Sequence, residues 1–394
     1  MNNHFKIKFI DSSEKELQNI GFDKTYISKG INKHKFKTVK ISGLNCAQAN
    51  ILKQTAIAAG TDCAVHREVI TGKVELSDCI LSGSLNQFEK IAQKLKHQPF
   101  KLSFLGDEIM ALLSNKKQPL IIRNQKFDWG IETYIMGILN VTPDSFSDGG
   151  MYFDIDKALE HYKKLVNAGA DIVDIGGEST RPYSQPVDIN DEINRVVPII
   201  QKIREYDSKT VISVDTRNSL TAKIAIEAGA DIINDVSALE WDKEMLTVLK
   251  DKKCPVILNH SKGTPDIMQD NPIYCDVVDE IFDYFYNKIQ YLLGHDIDIS
   301  NIIIDPGIGF GKTMQQNIEI IDRLQEFKTL GCPVLVGHSR KTFVKDIMQT
   351  EDNGELDIAT AFLSQKLLNN NADIIRVHNV QMNKTMQKIE NLFL

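Results

Sequence analysis

NAGADIVDIGGESTRP, residues 167–182, reads as a helix end, a buried strand and a polar turn in immediate succession. Gly169 suits the left-handed position that closes a helix. IVDI (172–175) lacks the alternation of a half-buried strand, as expected of a parallel strand covered on both faces. The same helix-end-then-strand unit recurs as EAGADIIND (227–235) and NNADIIRV (370–377), with Gly229 and Asn371 at the helix-closing position.

Working outward from this unit, eight short apolar runs follow one another from Tyr134. They are YIMGIL (134–139), IVDI (172–175), VISV (211–214), IIN (232–234), VILN (256–259), IIID (302–305), VLV (334–336) and IIRV (374–377). Helical periodicity fills the gaps. Ile189, Ile193, Val196, Ile200 and Ile203 share one face, as do Val278, Ile281, Phe282, Phe285, Ile289 and Leu292. Eight strand–helix units predict an α/β fold, a (β/α)8 TIM barrel, which takes about 250 residues. An open doubly wound sheet is the alternative, but the first unit carries no GxGxxG fingerprint.

The chain has 394 residues, so a barrel leaves a surplus, and all of it is N-terminal. The stretch NKKQPLIIRNQKFDW (115–129) is polar and basic around one apolar patch and divides the sequence. Residues 1–120 are expected to form a small α/β domain of unassigned role and residues 130–394 the barrel. In the smaller part, FKIKFI (5–10), FKTVKIS (36–42) and CILSGS (79–84) look like strands. Residues 46–60 and 87–96 look like amphipathic helices.

Hydrophobic content of 42% and charged content of 25% are those of an ordinary globular chain. The net charge of −7 gives no basic excess and hence no sign of nucleic-acid binding. No apolar run reaches the roughly 18 residues of a membrane span, and the first eleven residues lack a signal-peptide core. The six cysteines are scattered, with no CxxC, and read as reduced thiols. Cys63, His66 and Cys79 match none of the usual zinc spacings. A cytoplasmic location is expected.

Active sites of such barrels lie at the C-terminal ends of the strands, and here all eight ends are polar. They read Asn140 with VTPDSFSDGG (141–150), IGGESTRP (175–182), Asp215-Thr216-Arg217, Asn234-Asp235, Asn259-His260, Asp305 to Lys312, Gly337 to Thr342, and Arg376 to Asn379. Helix caps account for some of these, but not for Lys341, Arg376 and His378. Arg376 and His378 are two apart on one strand and share a face, well placed for a phosphate or pyrophosphate. Asn140 is a neutral oxygen donor suited to hydrated Mg2+ riding on a pyrophosphate. Asp215, Asn234 and Asp305 supply acceptors and Lys341 a donor, a set suited to a flat heterocycle with an amide-like edge. The glycine-bearing loops after the first two strands look like lids.

Together ILNVTPDSFSDGG, DIGGESTRP, SVDT, INDVSA, IDPGIGFGK, GHSRK and RVHN resemble the dihydropteroate synthases, over the whole barrel from about Tyr134 onward. The resemblance implies condensation of p-aminobenzoate with 6-hydroxymethyl-7,8-dihydropterin pyrophosphate, giving 7,8-dihydropteroate and pyrophosphate with Mg2+. It assigns the pterin to Asp215, Asn234, Asp305, Gly337 and Lys341. It assigns the pyrophosphate to Asn140, Arg376 and His378, with Asn140 acting through Mg2+. Thr180, Arg181, Pro182, Phe310 and Thr342 would form the p-aminobenzoate pocket, with loop residues Asp144 and Asp148 closing over it. Asp148, Asp215, Lys341, Arg376 and His378 would carry the chemistry. An SN1-like course is implied, in which Asp148 steadies the cation and no strong general base is needed, so His260 and His338 read as structural. Homodimers are the usual assembly in the family.

Two features depart from the family pattern. Asn259 stands where many members have a Met that packs on the pterin, and Thr342 stands where Ser is usual. The N-terminal extension is absent from compact members. A methyltetrahydrofolate:corrinoid methyltransferase is the second pterin-barrel reading, but it handles no pyrophosphate and would not need GHSRK together with RVHN. A non-catalytic paralogue is the third, and it would be expected to lose Asp215, Lys341 or Arg376.

Overall fold

The computed structural model describes Lys8, Ile10 and residues 14–114, 117–142, 151–178, 187–263 and 272–393, with the backbone alone at 151–154. Two compact units divide between Asn115 and Lys116.

In the first unit, helices α1 (Glu14–Asn19) and α2 (Ile27–Gly30) precede a three-stranded antiparallel sheet. The sheet is β1 (Phe36–Asn45), β2 (Asp62–Val65) and β3 (Leu76–Ser84), in the order β1-β3-β2. Helices α3 (Cys46–Ala58), α4 (Leu85–Leu95) and α5 (Leu102–Ser114) complete it. Asn45 opens α3 with a capping box to Gln48, which satisfies two orphan donors at once. Leu52, Leu81, Phe88, Ile91 and Leu95 form its core. The expected strand at 36–42 and both expected helices are present. The short β2 and α5 were not anticipated. The expected strand at 5–10 lies mostly outside the described residues.

The second unit begins with a hairpin, β4 (Leu120–Ile122) and β5 (Gln125–Phe127), and continues as the eight parallel strands read from the sequence. These are β6 (Tyr134–Asn140), β7 (Ile172–Gly176), β8 (Val211–Asp215), β9 (Ile232–Asp235), β10 (Val256–Asn259), β11 (Ile302–Asp305), β12 (Leu335–Val336) and β13 (Ile374–Val377). The first strand pairs with the last, Ile135 opposite Ile375, and the ring closes through a bridge between Ile304 and Val334. Around it lie α6 (Met151–Asn167), α7 (Ile189–Tyr206), α8 (Ser219–Ala228), α9 (Met245–Lys252), α10 (Val277–Leu293), α11 (Met314–Asp322), α12 (Thr342–Met348), α13 (Asn353–Asn369) and α14 (Val380–Glu390). Gly169, Gly229 and Asn371 all take the left-handed conformation, with φ of 99°, 119° and 58°.

Alternation along the strands divides the barrel wall into two faces. Ile135, Val173, Ile212, Ile233, Leu258, Ile304 and Ile375 face the helices. The opposite set fills the interior. At its N-terminal end this set is apolar: Ile172, Val211, Ile232, Ile257, Ile303, Leu335 and Ile374 cluster with Leu120, Ile122, Phe127 and Trp129 of the hairpin segment. Phe127 meets the Tyr134 ring edge-on at 4.8 Å. Arg123, at the hairpin turn, donates to Asp231 at 2.6 Å and to the Gly229 carbonyl at 2.9 Å. The segment read from sequence as a divider is therefore the plug of the barrel floor. Its alternating Leu120 and Ile122 face inward, and that pairing cannot be seen in so short an apolar patch.

Candidate active site

Two residues up each strand, the interior face turns polar. Asp174, Ser213, Asn234, Asn259, Asp305, Gly337 and Arg376 replace the apolar layer, with Asn140, Gly176 and Asp215 one step further. Asn140 pairs in register with Gly176, Gly176 with Asp215, and Asp215 with Asn234. Four adjacent strands thus bring these positions to one level of the barrel mouth.

A cavity there is lined by Asp215, Asn234, Val236, Asn259, Asp305, Phe310, Gly337, Lys341 and Arg376. It gathers all five residues expected to hold the heterocycle, together with Phe310 and Arg376. Asp305 accepts from the Gly307 backbone N–H at 2.8 Å, which turns the chain sharply at the strand end. Gly307 has φ +71°, and a Cβ there would lie 1.9 Å from the His260 carbonyl oxygen, so no side chain fits. Lys341 lies over the Phe310 ring, its Nζ 3.9 Å from the centroid. Gly309 leaves room for the Lys341 stem, which would stand 3.0 Å from a Cβ.

Arg376 spans the interior. Its Nε donates to Asp174 Oδ2 at 2.6 Å and its Nη2 to Asp215 Oδ2 at 2.7 Å. Asn234 Nδ2 donates to the same Asp174 oxygen at 3.0 Å. The sequence reading placed Arg376 on pyrophosphate, whereas here the guanidinium is shared between two carboxylates. Asp174 was not anticipated at all. Its signal was present: a charged residue inside the apolar run IVDI, on the same face as Gly176. Asp174 Oδ1 and Ser213 Oγ, register partners on β7 and β8, are buried without a hydrogen-bond partner among the described residues.

Burial pushes the Asp215 carboxyl up to about 7, opposed by the Arg376 charge and aided by that of Asp174. Burial likewise raises Asp305 to about 6, against the Gly307 N–H and the Lys341 charge. Both carboxyls therefore change charge near neutrality and respond to a ligand that supplies N–H donors.

His378 is not among the residues that line the cavity; its Nδ1 lies 2.9 Å from Ser339 Oγ. Asn140 lies at the end of β6, partly exposed, with Oδ1 3.7 Å from where a Gly176 Cβ would stand. Thr342 is exposed and is the first residue of α12. Arg340 turns outward and grips Asp357 of α13 with two bonds, at 2.7 and 2.8 Å; Asn379 donates to the same carboxylate at 3.0 Å. This cross-link ties the loops after β12 and β13 together and holds Lys341 and His378 in place. Asp144, Asp148, Thr180, Arg181 and Pro182 lie outside the described residues.

Three further groups that follow the strands, His338, His260 and Lys312, are buried and do not line the cavity. His338 is buried and bonded to the Thr360 carbonyl and Ser364 Oγ, and desolvation lowers it to about 4. His260 is held well below its ordinary value by burial and by the Lys312 charge. Lys312, lowered to about 7 by burial, donates to the Gly307 and Phe310 carbonyls at 2.9 and 2.8 Å and pins the glycine-rich loop.

Residues 136–378 match the family described as "Pterin binding enzyme". Dihydropteroate synthase of Synechocystis sp. is 41% identical over 275 residues, covering 70% of this chain and 95% of the relative. A probable bifunctional folylpolyglutamate synthase/dihydropteroate synthase of Haloferax volcanii is 38% identical over 348 residues, covering 85% of this chain. That match is longer than the barrel unit and runs into the first unit, while the chain spans 41% of the archaeal protein's length. Among solved structures, Xanthomonas albilineans dihydropteroate synthase with 4-aminobenzoic acid superposes with a TM-score of 0.65 at 33% identity, covering 70% of this chain and 98% of the other.

Proposed function

The chain belongs to the pterin-binding enzymes, and within them to the dihydropteroate synthases, and on that footing we propose that its barrel joins p-aminobenzoate to 6-hydroxymethyl-7,8-dihydropterin pyrophosphate with release of pyrophosphate. The observation that carries this reading is the cavity at the barrel mouth, where Asp215, Asn234 and Asp305 face Lys341 and Arg376. Carboxylates and an amide oxygen meet the amino and ring N–H groups of a pterin edge, and the Lys341 ammonium meets its carbonyl oxygen or a ring nitrogen. Gly337 leaves the wall open to the flat ring.

Pyrophosphate leaves beside Arg376 and His378, whose donors stabilise the developing charge. Arg376 reaches it by giving up part of its grip on Asp215, which the pterin then occupies. Asn140 fits Mg2+ carried by the pyrophosphate: it offers one neutral oxygen at the mouth, and no cluster of three His, Cys, Asp or Glu forms a cage among the described residues. Bound there, Mg2+ neutralises charge on the leaving group. Bond breaking ahead of attack leaves a cation conjugated with the pterin, and the neutral aromatic amine attacks it without a strong base. Thr342, with Thr180, Arg181, Pro182 and Phe310, supplies the p-aminobenzoate end, and Asp148 steadies the cation. A cytoplasmic homodimer is the form we propose; no helix among the described residues is long and apolar enough to cross a membrane.

Formation of 7,8-dihydropteroate from the two substrates and Mg2+ tests this reading. Product is expected with both substrates present, and its absence would overturn the assignment.

A further inference from the structure

We propose that Asp174 is a positioning residue that fixes which hydrogen-bonding groups the pocket shows to the pterin, by holding Asn234 and Arg376 at one carboxylate oxygen. The proposal rests on the pterin-site reading above and adds a residue that does not itself line the cavity.

Asp174 is fully buried at the middle of β7, between inward-facing Ile172 and Gly176. A carboxylate is costly there, and an apolar residue of similar volume would serve the strand as well or better. What the carboxylate adds is direction. Its Oδ2 accepts Asn234 Nδ2 at 3.0 Å and Arg376 Nε at 2.6 Å. An amide has one donor end and one acceptor end. With Nδ2 turned to Asp174, Asn234 has its Oδ1 to offer a ligand; the reversed amide would set oxygen against oxygen. Asp215 and Asp305 are acceptors as well, so that side of the cavity is uniformly suited to N–H donors. A pterin presents such donors at its 2-amino group and ring nitrogens, and a 2-desamino analogue lacks the first.

The Arg376 fork is oriented by the same atom. Nε on Asp174 sets the guanidinium plane, and Nη2 then falls on Asp215 Oδ2 at 2.7 Å. When a pterin takes Asp215, the bond to Asp174 keeps Arg376 from swinging away, and its Nη groups stay aimed at the mouth. One buried oxygen thereby couples the pterin edge to the leaving-group side.

The test uses the full chain and Asp174→Asn, which keeps the shape and removes the charge. Pterin affinity, measured by calorimetry with 6-hydroxymethylpterin, is expected to fall roughly tenfold, as for loss of a charge-assisted bond. The preference for this pterin over its 2-desamino analogue is expected to shrink, and KM for p-aminobenzoate to stay within about twofold of wild type. In an Asn234→Ala background the same substitution is expected to cost far less, because one of the groups it orients is gone. A lowered Tm with unchanged pterin affinity and preference would overturn the proposal, as would equal losses for both substrates. If wild-type protein itself binds no pterin, the functional reading fails first, which separates the two outcomes. Asp174→Glu serves as a second variant should Asp174→Asn not fold: it keeps the charge, displaces the oxygen, and is expected to show the same loss of preference.

Discussion

Arg376 Nη2 lies 2.7 Å from Asp215 Oδ2, so the strongest cation of the interior is paired with a carboxylate expected to bind the substrate. The pairing makes the site self-satisfied before ligand arrives. It also makes Arg376 hard to replace. Arg376→Ala leaves Asp174 and Asp215 buried without their partner and is expected to cost about 3–5 kcal/mol of stability, read by denaturant unfolding. Arg376→Lys keeps the charge but loses the fork, and kcat/KM is expected to drop roughly 10–100-fold. A stable, fully active Arg376→Lys would contradict the role given to the fork.

The two raised carboxyls set a pH dependence. Asp215 at about 7 and Asp305 at about 6 both lie above the unfolded value of 3.8. Folding therefore favours their protonated forms, and the stability this gives the unliganded protein is fully present below 3.8 and is lost progressively as pH rises from there to 6 to 7. A pterin N–H edge needs them ionised, so pterin affinity should rise over the same window. Calorimetry from pH 5.5 to 7.5 checks this, and Asp215→Asn should flatten most of the slope. An affinity that falls with rising pH would refute the acceptor role of the pair.

Phe127 closes the barrel floor against Tyr134 and Trp129, at the end opposite the site. Phe127→Ala is expected to destabilise the protein by about 3–5 kcal/mol, as for other buried aromatic truncations. Turnover per folded molecule should not change. A loss below about 1 kcal/mol would mean that the hairpin lies on the floor without packing into it.

Asn259 lines the cavity with its amide tied to the Val236 carbonyl at 3.1 Å. Asn259→Met gives up that bond, costing about 1 kcal/mol of stability. It gains a thioether contact with a bound ring, worth about 0.3–1.5 kcal/mol. The expected result is a lower Tm with several-fold tighter pterin binding. Unchanged affinity would show that position 259 is not part of the surface beneath the ring.

Much of this arrangement was legible in the residues. Unalternated runs such as VISV and IIID marked buried parallel strands, and Gly169, Gly229 and Asn371 marked the helix ends before three of them. The pocket's Asp215, Asn234, Asp305 and Lys341 followed from where those runs stop. Direction within a strand end was harder. Asn234 and Asp235 are neighbours, yet Asn234 faces the cavity while Asp235 caps its own loop by accepting from the Ser237 and Leu239 backbone N–H groups. Counting back in twos from Asp215 or Arg376 separates the two faces, and the same count recovers Asp174 from within an apolar run. The floor hairpin was missed because its short apolar alternation has meaning only against the seven strand ends it covers.

A cavity that runs the condensation must release pyrophosphate, and that release can be measured. With both substrates and Mg2+, one pyrophosphate is expected for each 7,8-dihydropteroate formed, and Lys341→Ala should depress both together through weakened pterin binding. Purified, folded protein that releases no pyrophosphate under these conditions would contradict it.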